Sequence, residues 1–202
     1  MFPISHFNIT RTPFYYYDKT LLSNTLAKLI RLAGERNYHV HYAVKANANP
    51  EILKLIAASG IGADSVSGGE IKAALEAGFP AKKIVFAGVG KADWEIEYAL
   101  EKKIFCFNVE SAEELSVIEE LAKKKENIAS IALRINPNID AHTHEYITTG
   151  LSENKFGIPI EMLDSIFSQI QRSPHVQLVG FHFHIGSQIL NLETFHVLCE
   201  RI

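Results

Sequence analysis

The stretch Ala63-Asp-Ser-Val-Ser-Gly-Gly-Glu-Ile-Lys-Ala-Ala-Leu-Glu-Ala-Gly-Phe-Pro-Ala-Lys-Lys-Ile-Val-Phe-Ala87 decides the fold. It begins and ends with short β-rich runs, which are typical of strands. Between them, Ser67 and Glu70 have the spacing of a capping box that opens a helix, and the Gly-Phe-Pro turn ending at Pro80 closes it. The stretch therefore predicts a strand–helix–strand unit.

The same unit recurs along the chain. Short β-rich runs predict six strands: Val40–Val44, Ala63–Val66, Lys83–Ala87, Ile104–Val109, Ser130–Ile135 and Val176–Ile185. The segments between them have helical periodicity, with a second capping box at Ser111 and Glu114 and a further helix beginning near Pro159. Alternating strands and helices predict a parallel sheet. Because no dinucleotide-type glycine loop follows the first strand, we predict a (β/α)₈ barrel rather than a Rossmann sheet.

The length suggests that the barrel is incomplete. A full barrel takes about 250 residues, whereas this chain has 202 residues and stops inside an amphipathic segment. We therefore expect a fragment with about six of the eight units, which alone is poorly stable because its sheet edges are exposed. The aromatic segment Thr12–Asp18 does not fit the repeat. We predict that residues 1–20 are an extended segment that belongs to another domain or sheet, and that residues 21–202 form the barrel.

Composition excludes several classes of protein. The chain is 47% hydrophobic and 21% charged with a net charge of −3, which is typical of a soluble globular protein and argues against a nucleic-acid partner. No apolar run has the roughly 20 residues needed to span a membrane. Cys106 and Cys199 lie in a predicted strand and a predicted helix, and we interpret them as two reduced core thiols of a cytoplasmic protein.

Lys45 is the first candidate for chemistry. It lies in Tyr42-Ala-Val-Lys-Ala-Asn47, where it interrupts an apolar run that predicts a buried strand. Burying an unpaired ammonium is costly, so such a lysine is usually paired, deprotonated or covalently used. A lysine with a lowered pKa can form a Schiff base with an aldehyde. The alternative is a lysine at the strand end that reaches solvent.

Polar side chains collect at the predicted carboxyl ends of the strands, where barrels place their active sites. These residues are Lys45, Asp64, Ser67, Asn108, Arg134, Asn136, His184 and Ser187. They are predicted to converge on one face of the barrel. The long polar connection at residues 137–157, which contains His142 and His144, is predicted to be a functional loop.

The segment Phe181-His-Phe-His-Ile-Gly-Ser-Gln188 allows three interpretations. On a strand, His182 and His184 point to the same face and could bind a metal, as in zinc-dependent barrel hydrolases. Alternatively, one histidine stacks on a planar cofactor, while Gly186 and Ser187 offer backbone amides and a hydroxyl to a phosphate. In the third interpretation, His182 is only a core residue.

Five motifs occur in an order that resembles a known family. They are Tyr42-Ala-Val-Lys-Ala-Asn47, Gly62-Ala-Asp-Ser-Val-Ser-Gly-Gly-Glu70, Arg134-Ile-Asn-Pro-Asn138, Thr149-Gly150 with Asn154-Lys-Phe-Gly157, and His182-Phe-His-Ile-Gly-Ser-Gln188. Together they resemble the pyridoxal-phosphate-dependent decarboxylases of the alanine-racemase-like barrel fold. The resemblance covers nearly the whole chain, and Thr12–Asp18 is similar to the family's opening strand, which joins a separate C-terminal β-domain. Because the rest of the family's active site lies in the missing half, the resemblance implies that this chain alone is inactive.

The resemblance implies roles for individual residues. Lys45 would carry pyridoxal 5′-phosphate covalently, His184 would lie against its ring, and Gly186 and Ser187 would hold its phosphate. Asp64 and Arg134 would lie around the ring and Lys45. No metal is implied.

The resemblance also implies a reaction and an assembly. The motif wording is similar to the branch that decarboxylates meso-diaminopimelate at its D-configured carbon to give L-lysine. A homodimer with a shared active site is implied as well. The alternatives are a sister decarboxylase of ornithine, arginine or carboxynorspermidine, and a barrel that binds the cofactor without turnover.

Overall fold

The computed structural model describes three stretches of the chain: residues 3–137, 156–187 and 189–202. Contacts between residues divide the chain into two units, Met1–Tyr38 and His39–Ile202.

The first unit contains two helices, α1 (Ile4–Phe7) and α2 (Lys19–Gly34). The carboxylate of Asp18 accepts a hydrogen bond of 2.9 Å from the Leu21 amide, so Asp18 caps α2. Residues 1–20 are not extended throughout, because α1 is one helical turn within them. Their assignment to a separate β-domain stays a prediction.

The second unit alternates strands with helices. In chain order the elements are β1 (His41–Ala43), α3 (Pro50–Ala58), β2 (Gly62–Ser65), α4 (Gly68–Glu76), β3 (Ile84–Phe86), α5 (Asp93–Lys102), β4 (Cys106–Val109), α6 (Ala112–Lys124), β5 (Ala129–Asn136), β6 (Ile158–Pro159), α7 (Leu163–Arg172), β7 (Val176–His182) and α8 (Glu193–Arg201).

The strand pairing has the topology of a barrel wall. All pairs are parallel, β1 to β5 lie side by side in chain order, and β7 pairs with β5. In a Rossmann sheet the spatial order of the strands would instead reverse at the first strand, giving the order 3-2-1-4-5-6. All six predicted strands are present, but the last ends at His182 instead of Ile185. The two-residue strand β6, which pairs with the end of β5, was not predicted.

One face of this sheet forms the core with the helices. Ser65, Phe86, Phe107 and Ile131 are register partners across β2 to β5 and are almost completely buried. Because side chains alternate along a strand, the neighbouring residues point to the opposite face. That face carries Asp64, Cys106, Asn108, Arg134 and His182, and it is therefore where a site can form.

The helices cover the core face. Leu115, Ile118 and Leu121 of α6 are buried, whereas in the region of α7 Ile166 is buried but Met162 is exposed. Met162 is exposed because it belongs to a short 3₁₀ turn before α7. No helix in the described ranges is long and apolar enough to cross a membrane.

The two cysteines lie in a strand and a helix, as predicted. Both are free thiols; Cys106 lies in β4 and Cys199 lies in α8. Cys106 is buried, but Cys199 is exposed. The expectation of two core thiols is therefore wrong for Cys199.

Candidate active site

Lys45 lies just beyond the end of β1. The strand ends at Ala43, and the chain turns through a 3₁₀ helix, Val44–Ala46, in which Val44 is buried and Lys45 is exposed. The alternative in which Lys45 reaches solvent at the strand end is therefore the one observed, since the turn carries the ammonium to the surface. Lys45 remains close enough to Asp64 and His184 for its charge to lower the pKa of both.

Asp64 lies beside Ala43 in the register of β1 and β2. Its Oδ1 atom is buried and has no hydrogen-bond partner among the described residues. Burial raises the pKa of the Asp64 carboxyl, and the nearby charges of Lys45 and His41 partly oppose this rise. A buried acceptor without a partner is costly, so a ligand that donates a hydrogen bond would stabilise it.

Ser67 is used by the fold. Its hydroxyl oxygen accepts a hydrogen bond of 3.2 Å from the Glu70 amide and so caps α4. The Glu70 carboxylate in turn accepts from the Val66 amide at 2.8 Å. The helix-capping interpretation of this motif is confirmed.

A buried ion pair joins β4 to β5. Nη1 of Arg134 donates to both carboxylate oxygens of Glu110, at 2.8 and 2.9 Å, and the two side chains are 9% and 7% exposed. The guanidinium also lies 5.7 Å from the ring centroid of Phe156. Arg134 was predicted to belong to the site, but Glu110 was missed. Glu110 directly follows a strand, which is the same signal that identified the other candidates.

His182 and His184 are partly buried near Arg134. His182 is the last residue of β7 and the register partner of Arg134, and its Nδ1 atom is buried without a partner in the described part of the chain. Burial lowers the pKa of His182 to about 4, and the charge of Arg134 contributes. Burial and the charges of Arg134 and Lys45 also lower the pKa of His184. Both imidazoles are therefore neutral at pH 7, although His184 lies beyond the strand on which it was predicted.

Gly186 and Ser187 follow in a loop. Gly186 has a φ angle of 136°, a conformation that side chains other than that of glycine rarely adopt, and Ser187 is exposed. Gln188 lies outside the described residues. The same is true of residues 138–155, which include His142, His144 and part of two predicted motifs.

Cys106 lies on the same face of the sheet as Asp64. Its Sγ atom is 4.0 Å from Oδ1 of Asn108. Burial raises the pKa of the Cys106 thiol to about 11, and the charge of Asp64 contributes. The thiol therefore stays protonated at neutral pH and is not a nucleophile.

The described residues contain no group of three or more His, Cys, Asp and Glu side chains arranged to hold a metal ion. The hydrolase interpretation of His182 and His184 therefore has no complete ligand set within those residues.

The lowered pKa of His182 predicts how stability depends on pH. An unfolded histidine has a pKa near 6.5, so between pH 6.5 and about 4 the unfolded chain binds the proton and the folded chain does not. Stability from this group is therefore complete above pH 6.5 and is lost as the pH falls. In the full-length gene product, lowering the pH from 7 to 5 should cost about 2 kcal/mol more in the wild type than in His182→Gln. Urea titrations at both pH values measure this difference, and equal losses would contradict it.

The exposed amine, the neutral imidazoles and the buried Arg–Glu pair lie at the carboxyl ends of parallel strands, which is where α/β barrels place their active sites. Residues 23–202 match the family described as "Pyridoxal-dependent decarboxylase, pyridoxal binding domain". The chain belongs to this family. The resemblance and the barrel fold predicted from the motifs are confirmed, and the family's cofactor is the predicted one.

Similar proteins include diaminopimelate decarboxylases. The enzyme of Bacteroides thetaiotaomicron is 57% identical over 203 residues, which cover 100% of this chain and 53% of that protein. The enzyme of Campylobacter jejuni is 43% identical and covers 92% of this chain and 46% of its own length. The crystal structure of a Helicobacter pylori diaminopimelate decarboxylase mutant complexed with L-lysine has a TM-score of 0.92 and 43% identity, covering 98% of this chain and 50% of that one. The chain thus spans about half the length of the curated relatives it matches.

The described residues fit pyridoxal phosphate. Its aldehyde needs an accessible amine, and Lys45 is exposed beside Asp64 and His184. Its polar ring substituents need hydrogen-bond partners, and the buried atoms Asp64 Oδ1 and His182 Nδ1 have none among the residues described.

Proposed function

We propose that this chain forms the cofactor-binding part of an enzyme that decarboxylates meso-diaminopimelate to L-lysine and carbon dioxide with pyridoxal phosphate. The observation that carries the proposal is the grouping of Lys45, Asp64, Arg134 and His184 around one edge of the sheet. The substrate is supported by relatives named diaminopimelate decarboxylase that are up to 57% identical to this chain.

Lys45 is the proposed site of covalent attachment. Its side chain is exposed and donates no hydrogen bond to the described residues, so its amine can reach an aldehyde without breaking the fold. Neighbouring Asp64 supplies a carboxyl group for a hydrogen bond at this position. Once bound, pyridoxal phosphate supplies an electron sink for the electron pair left when the carboxylate departs as carbon dioxide.

His184, Gly186 and Ser187 are proposed to hold the rest of the cofactor. The pKa of His184 is lowered, so its ring is neutral and can pack flat against another ring without placing a charge there. Ser187 is exposed and can donate its hydroxyl to a phosphate, and Gly186 leaves the adjacent backbone accessible.

Arg134 is proposed to place its own positive charge beside the cofactor ring. Glu110 holds Nη1, which leaves Nη2 and Nε without hydrogen bonds to the described residues and thus available to an anionic ligand. The bidentate pair also keeps the guanidinium in one orientation.

We further propose a cytoplasmic homodimer whose active site is shared between the subunits. Two free thiols support a reducing compartment, and the family resemblance supports the dimer. Light scattering of the full-length gene product measures its mass, and a monomer that is fully active would contradict the shared site.

Carbon dioxide release tests the reaction. The full-length gene product with pyridoxal phosphate is offered meso-diaminopimelate, ornithine and arginine separately. Release from meso-diaminopimelate alone is the expected result. Release from ornithine or arginine instead would keep the chemistry and overturn the substrate, and no release with the cofactor bound would indicate a carrier without turnover.

A further inference from the structure

Lys91, in the loop between β3 and α5, is a buried lysine with every donor in use. Its side chain is 1% exposed. Nζ donates to the carbonyl oxygens of Gly88 at 2.7 Å and Asn108 at 2.8 Å, and to the carboxylate of Glu114. An ammonium group has three donors, so these acceptors saturate it. Lys91 therefore has no free donor for a ligand. Its role is to hold the backbone and the carboxylate that accept its three hydrogen bonds.

The two held groups lie on either side of Val109 at the end of β4. Lys91 binds the carbonyl of Asn108 directly. Glu114 uses its other carboxylate oxygen to accept a hydrogen bond of 2.7 Å from the Glu110 amide. The peptide groups before and after Val109 are thus fixed by one ion pair, which sets the direction in which the Glu110 side chain leaves the backbone.

Glu110 connects the Lys91–Glu114 ion pair to the candidate active site. Its carboxylate is bound at 2.8 and 2.9 Å by Arg134, which is the register partner of His182. The charge of Arg134 contributes to the lowered pKa values of His182 and His184. A continuous series of contacts therefore leads from the β3 loop through β4 and β5 to β7.

Two neighbouring helices provide an internal comparison. Glu70 in α4 and Glu95 in α5 have the same position as Glu114 in α6, and each accepts a hydrogen bond from a backbone amide near the start of its helix. In the described residues, neither of these two pairs with a lysine. A glutamate at this position can therefore cap the start of its helix without a lysine partner. The buried pair of Lys91 and Glu114 thus serves another purpose.

We infer that Lys91 is a positioning residue, which acts through Glu114 to hold Glu110, and through Glu110 to hold Arg134, at the carboxyl ends of the strands. The inference rests on the proposed function in one respect, that Arg134 meets the cofactor. It assigns Lys91 no contact with substrate or cofactor.

A double-mutant cycle on the Kd of pyridoxal phosphate tests the inference in the full-length gene product. The variants are Lys91→Met, Glu110→Gln and the pair, and binding is followed by the absorption of the bound cofactor without any substrate. Lys91→Met should raise the Kd about tenfold. In metal sites, the comparable case, removing a residue that holds a ligand in place typically weakens metal binding by about 10- to 100-fold. In the Glu110→Gln background the same change should alter the Kd less than about twofold, because its route is already broken.

Lys125→Met is the matched control. Lys125 also pairs with glutamates of a neighbouring helix, Glu97 and Glu101, but on the outer helical layer. Its loss should leave the Kd unchanged. If Lys91→Met does not fold, Lys91→Gln replaces it in the cycle, because its amide group can still donate to a backbone carbonyl but cannot form the ion pair with Glu114.

The outcomes separate positioning from stability alone. Equal fold changes in both backgrounds, or a lower melting temperature with an unchanged Kd, would overturn the inference. Because no substrate is used, the result does not depend on whether meso-diaminopimelate is decarboxylated.

Discussion

Replacing Lys45 by arginine in the full-length gene product is expected to lower kcat for decarboxylation by at least about a thousandfold. Arginine keeps a positive charge near Asp64 and His184, so the electrostatic environment described by their pKa shifts is largely retained. Its guanidinium stays protonated and cannot attack an aldehyde. The substitution therefore removes the proposed covalent attachment and little else.

The position of Lys45 makes this a clean experiment. The side chain is exposed in a 3₁₀ turn and donates no hydrogen bond to the residues that the structure describes. Surface substitutions of this kind usually change stability by no more than about 0.5 kcal/mol. A large loss of activity with an unchanged melting temperature would thus reflect chemistry and not unfolding.

The attachment itself can be measured. Borohydride reduction of the wild type, followed by peptide mass analysis, should find the cofactor on the peptide that contains Lys45 and should find none in Lys45→Arg. Lys54→Ala serves as the control, because Lys54 is another exposed lysine, on α3, and among the described residues it pairs only with Glu51. Retention of more than a tenth of the wild-type rate in Lys45→Arg, or labelling at a different lysine, would overturn the proposed role.

Local patterns in the sequence predicted the elements well. The caps at Ser67 and Ser111 are confirmed, and each is a hydrogen bond between residues three positions apart. Hydrophobic periodicity likewise located all six main strands, because burial on one face imposes a spacing that is visible without the fold. Strand order followed from the alternation of strands and helices.

Contacts distant in sequence could not be predicted in the same way. Arg134 and Glu110 are 24 residues apart, and Lys91 and Glu114 are 23 apart. Which partners meet depends on the register between neighbouring strands and on the paths of the loops. The exposure of Lys45 could not be decided between two interpretations for a related reason, since it depends on where the chain leaves β1.

Replacing Arg134 by methionine is expected to lower the free energy of unfolding by about 3–5 kcal/mol. The pair with Glu110 is almost completely buried, so the substitution leaves a carboxylate without its partner in a dry environment. Desolvation of that charge, which Arg134 offsets in the wild type, then opposes folding.

The exposed pair of Arg31 and Glu35 is a matched control. Its N–O distance is 2.8 Å, the same as in the buried pair, but its side chains are 64% and 49% exposed. Arg31→Met should therefore cost less than about 1 kcal/mol, because water screens both charges and solvates the one that remains. Urea titrations of the two variants measure the free energy lost from a buried and from an exposed ion pair that have the same N–O distance.

The double variant Glu110→Met with Arg134→Met separates the two contributions within the buried pair. Removing both charges removes the desolvation cost together with the attraction, so much of the stability lost in Arg134→Met should return. Binding of pyridoxal phosphate should stay weak, since the cation proposed to meet it is absent. Recovery of both stability and affinity would contradict the role of Arg134 in binding, and recovery of neither would mean that the pair is held for its shape and packing and not for its charge.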